Sequence, residues 1–252
     1  MPASPEIRIV NTAADLFQAA ATEFADLAVA AVRARGRFSV ALSGGSTPRG
    51  LYSLLASGSV PSIPWDKAFF FWSDERPVPP GHPDSNYRMA YEAMLSKVPV
   101  PAEHVFRIHA EDQDADAAAH AYEETLRTEF AVNSDAIPRF DLILLGIGTE
   151  GHTASLFPGS PALDETKRLV VANRVEKLKA DRITFTYPLI DHAACVMFLV
   201  SGTDKAGILE QILEYPGDLP AQRVRPVKGK LLWLADHAAA AKLSDADWAA
   251  AP

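Results

Sequence analysis

One stretch of the chain reads Phe140-Asp-Leu-Ile-Leu-Leu-Gly-Ile-Gly-Thr-Glu-Gly-His152, and it is the most informative guide to the fold. Asp141 to Leu145 is predicted to be a strand. Its apolar residues are continuous, as expected when both faces of a sheet are covered. The strand ends in a glycine-rich turn that leads to His152. Such a turn can present an imidazole to a small anionic ligand that is held by backbone amides.

The same turn also matches the dinucleotide-binding pattern, as Gly146-x-Gly148-x-x-Gly151. That pattern requires a crossover helix directly after the turn and a second strand that ends in an acid about 20 residues later. Two prolines and a glycine in Pro158-Gly-Ser-Pro161 break the chain soon after the turn, so that only Thr153 to Phe157 remain for a helix. We therefore expect no nucleotide cofactor at this turn.

The rest of the chain alternates predicted helices with predicted strands, which indicates an α/β fold with a mostly parallel sheet and helices on both sides. The predicted helices run from Asn11-Thr12 to Gly36, from Thr47-Pro48 to Leu55, from Ser85 to Leu95, from Asp112 to Ala131, from Thr203 to Leu213, and onward from Ala235. The predicted strands are Arg37 to Leu42, Ala68 to Trp72, His104 to Ile108, Asp141 to Leu145, Val170 to Arg174, Ile183 to Tyr187 and Val196 to Val200.

Composition excludes several classes of protein. The chain has 252 residues, of which 48% are hydrophobic and 22% charged, as is ordinary for a globular protein. Its net charge of −8 argues against nucleic acid as the main partner. No apolar run approaches the roughly 20 residues of a membrane span, and the first residues do not resemble a secretory signal. The single cysteine, Cys195, excludes an intrachain disulfide and favours a reducing cytoplasm.

Three further polar segments follow predicted strands, and the carboxyl ends of such strands are where ligands bind in parallel sheets. The first is Ser43-Gly-Gly-Ser-Thr-Pro48, which leaves a strand and enters a helix. Its small residues expose backbone N–H groups at a helix N-terminus, which suits a phosphate. A plain tight turn with helix capping is the alternative.

The second segment is Ser73-Asp-Glu-Arg76, which follows the very apolar Phe69 to Trp72. Consecutive charges at the end of a buried strand favour a site over an ion-paired loop, and the planar guanidinium of Arg76 suits oxyanions. The third segment is Ser201-Gly-Thr-Asp-Lys205. Lys205 in a first helical turn would oppose the helix dipole, so an anion nearby would explain it; a solvated lysine is the alternative.

These segments together resemble the 6-phosphogluconolactonase family, which is related to the glucosamine-6-phosphate deaminases/isomerases. The resemblance covers nearly the whole chain. Its motifs, in order, are Ser43 to Pro48, Ser73 to Arg76, Asp84 to Arg88, Gly146 to Gly159, Arg182 to Thr186, Ser201 to Lys205, and the late Lys230-Leu-Leu-Trp-Leu-Ala-Asp-His-Ala-Ala. It implies a three-layer, Rossmann-like sandwich similar to the glucosamine-6-phosphate deaminase fold, built as a single domain over residues 1–252.

The resemblance also implies a function. The expected reaction is hydrolysis of 6-phospho-D-glucono-1,5-lactone, with a small sugar phosphate as the ligand and neither cofactor nor metal. The implied catalytic residues are His152 as general base, Arg76 and Glu150. The implied substrate-binding residues are Ser43, Gly44, Gly45, Ser46, Thr47, Asp74, Arg182 and Lys205. Glu150 stands where the family usually has aspartate, which moves the carboxylate by one methylene and leaves its role open.

Alternatives come from several classes. Glucosamine-6-phosphate deaminases typically carry a tyrosine where this chain has Arg76. The guanidinium of Arg76 cannot shuttle protons near pH 7, which disfavours this alternative. A sugar-phosphate-sensing module would share the fold but would carry a DNA-binding segment. A serine hydrolase using Ser43 or Ser46 would need a Gly-x-Ser-x-Gly elbow. The spacing does not rank Arg88, Arg174 and Arg182 as phosphate ligands, and we expect a monomer or a weak homodimer.

Overall fold

The computed structural model describes residues 5–111 and 114–244. The strands are β1 (Glu6–Val10), β2 (Phe38–Leu42), β3 (Ala68–Trp72), β4 (Asp74–Glu75), β5 (Leu142–Leu145), β6 (Val170–Val175), β7 (Ala180–Phe185), β8 (Cys195–Val200) and β9 (Lys230–Asp236). The helices are α1 (Ala13–Arg35), α2 (Ser46–Leu55), α3 (Asn86–Ala93), α4 (Ala115–Glu129), α5 (Tyr187–Ile190), α6 (Ala206–Glu214) and α7 (Pro220–Arg223). The range in which the helix at Asp112 was expected to begin lies partly outside the described residues.

Six strands form one sheet in the order β1-β9-β8-β5-β2-β3, and every pair in it is parallel. The prediction of an α/β fold with a mostly parallel sheet is therefore confirmed. All residues of β2, β5 and β8 are buried, which explains why β5 and β8 are continuously apolar in sequence and why β2 has only Ser39 as a polar residue. Phe198 and Trp233 on neighbouring strands stack with ring centroids 3.9 Å apart.

The order of the strands reverses between β2 and β5. From β2 the chain proceeds to β3 at one edge, whereas from β5 it proceeds to β8 and β9 on the other side. The loops that leave β2 and β5 therefore diverge, and a crevice opens between them. In open α/β sheets this switch point is where ligands bind.

Two predicted strands lie outside the parallel sheet. β6 and β7 form an antiparallel hairpin, and β7 pairs with the short β4 to complete a second sheet of three strands. The hairpin turns at Lys179, whose φ is 49°. Too few residues separate β6 from β7 for the crossover helix that a parallel pair requires, so these two strands pair as a hairpin outside the parallel sheet.

The strand predicted over His104 to Ile108 is also absent. Among the described residues, this segment pairs with the sheet only through an isolated β-bridge between Phe70 and Val105. Pairing stops there because the backbone N–H of Trp72 donates to the hydroxyl of Tyr122 at 2.9 Å instead of to a strand. His104 itself ends a short 3-10 turn.

The helix expected to begin near Ala235 is wrong as well. That residue lies near the end of β9, which occupies the sheet between β1 and β8. A continuous apolar run such as Leu231 to Ala235 fits a strand buried on both faces, and the sequence alone did not distinguish it from the start of a helix. The edge strand β1 was not predicted. No helix among residues 5–111 and 114–244 is both long and apolar enough to cross a membrane.

Candidate active site

A cleft with two lobes lies at the switch point, at the carboxyl ends of the parallel strands. The lobes share Gly44, Gly45, Gly146, Ile147 and Lys205. The larger lobe has a volume of about 250 Å³, and its walls include Asp74, Arg76, Asn86 and His152. The smaller lobe, of about 110 Å³, is lined by Ser46, Thr47 and Ser201 among others. All three polar segments and the glycine turn that were singled out in the sequence thus meet in one place.

The smaller lobe is built on the N-terminus of α2. The helix begins at Ser46, and its N-cap is Gly45, with a φ of 106°, two residues before the cap predicted at Thr47. No side chain in the described part of the chain caps this terminus, so its first N–H groups are directed at the lobe without an intrahelical partner. Nearby, on the lining of the larger lobe, Ser43 has a buried hydroxyl oxygen with no hydrogen-bond partner within the described ranges. This set of donors suits an anion.

Gly44 is in close contact with Asn86, a residue that was not predicted to belong to the site. A Cβ atom at Gly44 would lie 2.0 Å from Asn86 Oδ1, so only glycine fits. The amide nitrogen of Asn86 donates to the Asp74 carbonyl at 3.0 Å and faces its Oδ1 at 3.3 Å. The hydroxyl of Ser155 donates to Asp74 Oδ2 at 2.7 Å. Asp74 is therefore a buried carboxylate whose orientation is fixed from two sides.

The other two charges of the second segment have different surroundings. Glu75 is buried and accepts hydrogen bonds from the Ser85 hydroxyl at 3.0 Å and from the Tyr87 N–H at 2.9 Å, which places it at the N-terminus of α3. Burial raises the pKa of Glu75 above its usual value, although backbone N–H groups oppose this shift. Arg76 lines the larger lobe, and its guanidinium donates to the Asp84 carbonyl at 2.6 Å.

The glycine turn closes on itself and fixes the position of His152. The Gly148 N–H donates to the His152 carbonyl at 2.9 Å, and the Gly151 N–H donates to the Gly148 carbonyl at 3.0 Å. Gly151 has a φ of 82°, and its carbonyl accepts from the Ala221 N–H at 3.0 Å. A Cβ at Gly148 would lie 2.0 Å from His152 Nδ1. The second and third glycines of the pattern therefore serve the turn and the imidazole.

No helix begins directly after this turn, since the described residues 153–160 contain none. Thr153 and Leu156 form an isolated β-bridge, so even the short stretch from Thr153 to Phe157 is not helical. The next regular element is a short 3-10 helix at Pro161–Asp164. The crossover helix that a dinucleotide site needs is thus missing from this part of the chain.

His152 lies between an aromatic ring and a carboxylate. Its ring stacks on Phe157 with centroids 4.1 Å apart. Glu150 Oε2 lies 3.2 Å from His152 Nδ1, and Glu150 Oε1 lies 3.2 Å from Lys177 Nζ. The distance between Glu150 and Nδ1 is that of an ion pair, but its direction is poor for a hydrogen bond. Nδ1 therefore has no hydrogen-bond partner among the described residues.

The pKa values of this pair shift downward. Burial lowers the pKa of His152 below its usual value; Glu150 and Asp74 oppose the shift, and Lys205 adds to it. Burial would raise the pKa of Glu150, but its own backbone amide, His152 and Lys177 outweigh this and lower it to about 2. Near neutral pH the site therefore holds an uncharged imidazole beside an ionised carboxylate, which is the state that a general base requires.

The basic residues differ in their access to the cleft. Lys205 lines both lobes, and its ammonium lies 3.2 Å from Asp204 Oδ2. Among the described residues, Arg182 lines neither lobe. Burial and the neighbouring Arg76 lower its pKa, so it is close to the cleft all the same. Arg174 is exposed and lies 3.5 Å from Asp181, and Arg88 donates to Glu92 at 2.7 Å. Of these four residues, only Lys205 lines the smaller lobe, at the N-terminus of α2.

No group of three or more His, Cys, Asp or Glu side chains within residues 5–111 and 114–244 is arranged to hold a metal ion.

Comparison with known proteins gives consistent results. The family model for glucosamine-6-phosphate isomerases/6-phosphogluconolactonase matches residues 11–233. A 6-phosphogluconolactonase of Nostoc sp. is 43% identical over 217 residues, which cover 85% of this chain and 88% of that protein. The 6-phosphogluconolactonase 3, chloroplastic, of Arabidopsis thaliana is 42% identical, and the match covers 87% of this chain and 69% of that protein. The structure of 6-phosphogluconolactonase from Trypanosoma cruzi superposes with a TM-score of 0.84 at 31% identity, covering 97% of this chain and 98% of that one.

Proposed function

Since this chain belongs to the glucosamine-6-phosphate isomerase/6-phosphogluconolactonase family, we propose that its cleft hydrolyses 6-phospho-D-glucono-1,5-lactone to 6-phospho-D-gluconate. The observation that supports this proposal most directly is that one cleft contains both a place for an anion and a side chain that can act as a base. An uncapped helix N-terminus with Lys205 offers a place for a phosphate, and an uncharged His152 lies in the adjoining lobe.

The proposed chemistry begins with His152 as a general base. The negative charge of Glu150 lies 3.2 Å from Nδ1 and attracts a proton to that nitrogen, so we assign the lone pair of the neutral ring to Nε2. Nε2 takes a proton from a water molecule as that water attacks C1 of the lactone. The imidazolium then returns the proton to the ring oxygen as the C1–O bond breaks. A positioned base of this kind typically contributes about 10²–10⁴-fold to the rate.

Arg76 supplies positive charge to the same lobe. Its guanidinium is fixed by the Asp84 carbonyl, and five N–H donors leave others free for the substrate. We assign it the developing oxyanion at C1 or the orientation of the lactone. Loss of one such donor typically costs about 2.7–4 kcal/mol in the transition state.

The phosphate is proposed to bind in the smaller lobe. The donors in that lobe are the backbone N–H groups of the turn, the hydroxyls of Ser46 and Thr47, and the ammonium of Lys205, and the unpartnered Ser43 hydroxyl belongs to the residue that lines the adjoining larger lobe. Asp74 and Asn86 line the larger lobe, where the lactone ring is proposed to lie. Arg182 lines neither lobe among the described residues, and we assign it no direct contact with the phosphate.

The direct test is acid release from freshly prepared 6-phosphogluconolactone, corrected for spontaneous hydrolysis. We expect the protein to accelerate release strongly and to leave glucosamine 6-phosphate unchanged. If glucosamine 6-phosphate is deaminated and the lactone is hydrolysed at its spontaneous rate, the deaminase alternative is correct instead.

Two properties beyond the reaction are part of the proposal. The substrate is a small molecule, and the protein acts as a monomer or weak homodimer, which native mass spectrometry would test. We place it in the cytoplasm because its one cysteine, Cys195, is buried and suits a reducing compartment.

A further inference from the structure

Asp236 ends strand β9 and lies beside the loop that follows β8. The two strands are parallel neighbours, and Val200 pairs with Ala235, so that the next residues of each strand meet at the same edge of the sheet. Asp236 is a buried carboxylate with 4% of its surface exposed. It lines neither lobe of the cleft within the described part of the chain.

Three hydrogen bonds converge on this carboxylate. Oδ2 accepts from the Ser201 hydroxyl at 2.5 Å, and Oδ1 accepts from the Gly202 N–H at 3.1 Å and from the Ala239 N–H at 2.8 Å. Hydrogen bonds to an ionised acceptor are typically stronger than bonds between neutral groups. Asp236 thus fixes two consecutive residues of the loop after β8.

That loop determines where Lys205 lies. The Lys205 N–H donates to the Gly202 carbonyl at 3.1 Å. Gly202 is therefore hydrogen-bonded to Asp236 through its N–H group and to Lys205 through its carbonyl. Gly202 has a φ of 101°, a conformation that suits glycine. Ser201 and Lys205 both line the smaller lobe.

We propose that Asp236 is a positioning residue for the phosphate, which acts through Ser201 and Gly202 to hold Lys205 against the smaller lobe. This inference rests on the proposed function. Because the Ser201 hydroxyl donates its proton to Asp236, its oxygen has none left to give a phosphate, and Ser201 serves as an anchor for the loop. Asp236 affects binding of the phosphorylated end of the substrate and leaves the chemistry at His152 unchanged.

The test compares two lactones in the variants Asp236→Ala and Asp236→Asn. For 6-phosphogluconolactone we expect KM to rise about tenfold in Asp236→Ala, as follows from losing hydrogen bonds to a buried carboxylate, with kcat within about twofold of the parent. For glucono-1,5-lactone, which lacks the phosphate, we expect kcat/KM to stay the same. Asp236→Asn keeps the shape and should show a smaller rise in KM.

Two controls accompany this test. Asp191→Asn alters a carboxylate that also accepts a backbone N–H, from Arg225 at 2.7 Å, but away from the cleft, and it should not discriminate between the lactones. Ser201→Ala removes one of the three bonds and should raise KM less than Asp236→Ala does. If Asp236→Ala does not fold, the Asn and Ser201 variants decide.

The inference is overturned if both lactones lose activity equally, or if KM for the phosphorylated lactone is unchanged. Calorimetric titration with inorganic phosphate separates it from the proposed function. If the parent hydrolyses neither lactone, the proposed function fails. Weaker phosphate binding by Asp236→Asn than by the parent would still support the positioning role, and equal binding would refute it.

Discussion

Two glycine-rich turns leave neighbouring strands of the parallel sheet, and they perform different tasks. The turn at Ser43 to Ser46 leads into α2, so its contribution is a set of backbone donors at a helix N-terminus. The turn at Gly146 to His152 leads into no helix, and what it delivers is a side chain. The comparison shows that the structure following a glycine turn determines its chemistry more than its glycines do.

The largest effect is expected at the end of the second turn. His152→Ala removes the proposed base, and kcat should fall by about 10²–10⁴-fold. Binding of 6-phosphogluconate, measured by calorimetry, should remain nearly unchanged because the first turn is intact. Retained activity would mean that the second turn carries no catalytic group.

A methyl group added within the second turn should have the next largest effect. Gly148→Ala would place a Cβ 2.0 Å from His152 Nδ1, so the imidazole must move. Misplacement of a catalytic group by about 1 Å can cost about 10²-fold. Steady-state kinetics should show the loss in kcat with KM little changed. A loss confined to KM would show that the two turns do not divide their tasks in this way.

The matching change in the first turn is Gly44→Ala. Its Cβ would lie 2.0 Å from Asn86 Oδ1 and would push the turn away from its donor geometry. We expect KM for the phosphorylated lactone to rise about tenfold, as when a charge-assisted hydrogen bond is lost, and kcat to change less. Opposite results for the two alanine variants would reverse the assignment of binding and catalysis to the turns.

The smallest effect is expected from Lys177→Met. Lys177 is 72% exposed, and exposed ion pairs contribute about 0–1 kcal/mol. When the positive charge of Lys177 is removed, the negative charge of Glu150 is less neutralised and should raise the pKa of His152 slightly. The acid limb of the pH profile should then move to higher pH, and kcat should stay within about threefold of the parent. A large fall in kcat would show that Lys177 does more than neutralise Glu150.

The parallel sheet could be predicted because its central strands are apolar throughout, apart from Ser39 in β2, and this is a local property. Strand β9 has the same property and was still taken for the start of a helix, since a short apolar run fits both structures. The strands β6 and β7 were predicted, but the second, antiparallel sheet that they form with β4 was not, because pairing partners depend on contacts between distant segments.

The site shows the same division. Residues that directly follow strands, such as Arg76, His152 and Lys205, could be found from their position in the sequence, and the structure brings them into one cleft. Asn86 and Asp236 were not found, although both lie within motifs of the family resemblance. Their contacts span 12 residues to Asp74 and 35 residues to Ser201, and no local pattern reveals such contacts.

The account depends most on an uncharged imidazole at His152, and the pH dependence of kcat/KM for 6-phosphogluconolactone tests it directly. Burial disfavours the imidazolium, so the pKa lies below the usual value of about 6.5. Activity should therefore be full near pH 7, persist at pH 6.5, and fall with a single ionisation as the pH decreases further. This acid limb should vanish from the small residual rate of His152→Ala. An acid limb with its midpoint at or above the usual imidazole pKa of about 6.5, an acid limb that persists unchanged in His152→Ala, or a parent rate that increases on acidification would contradict His152 as an uncharged base.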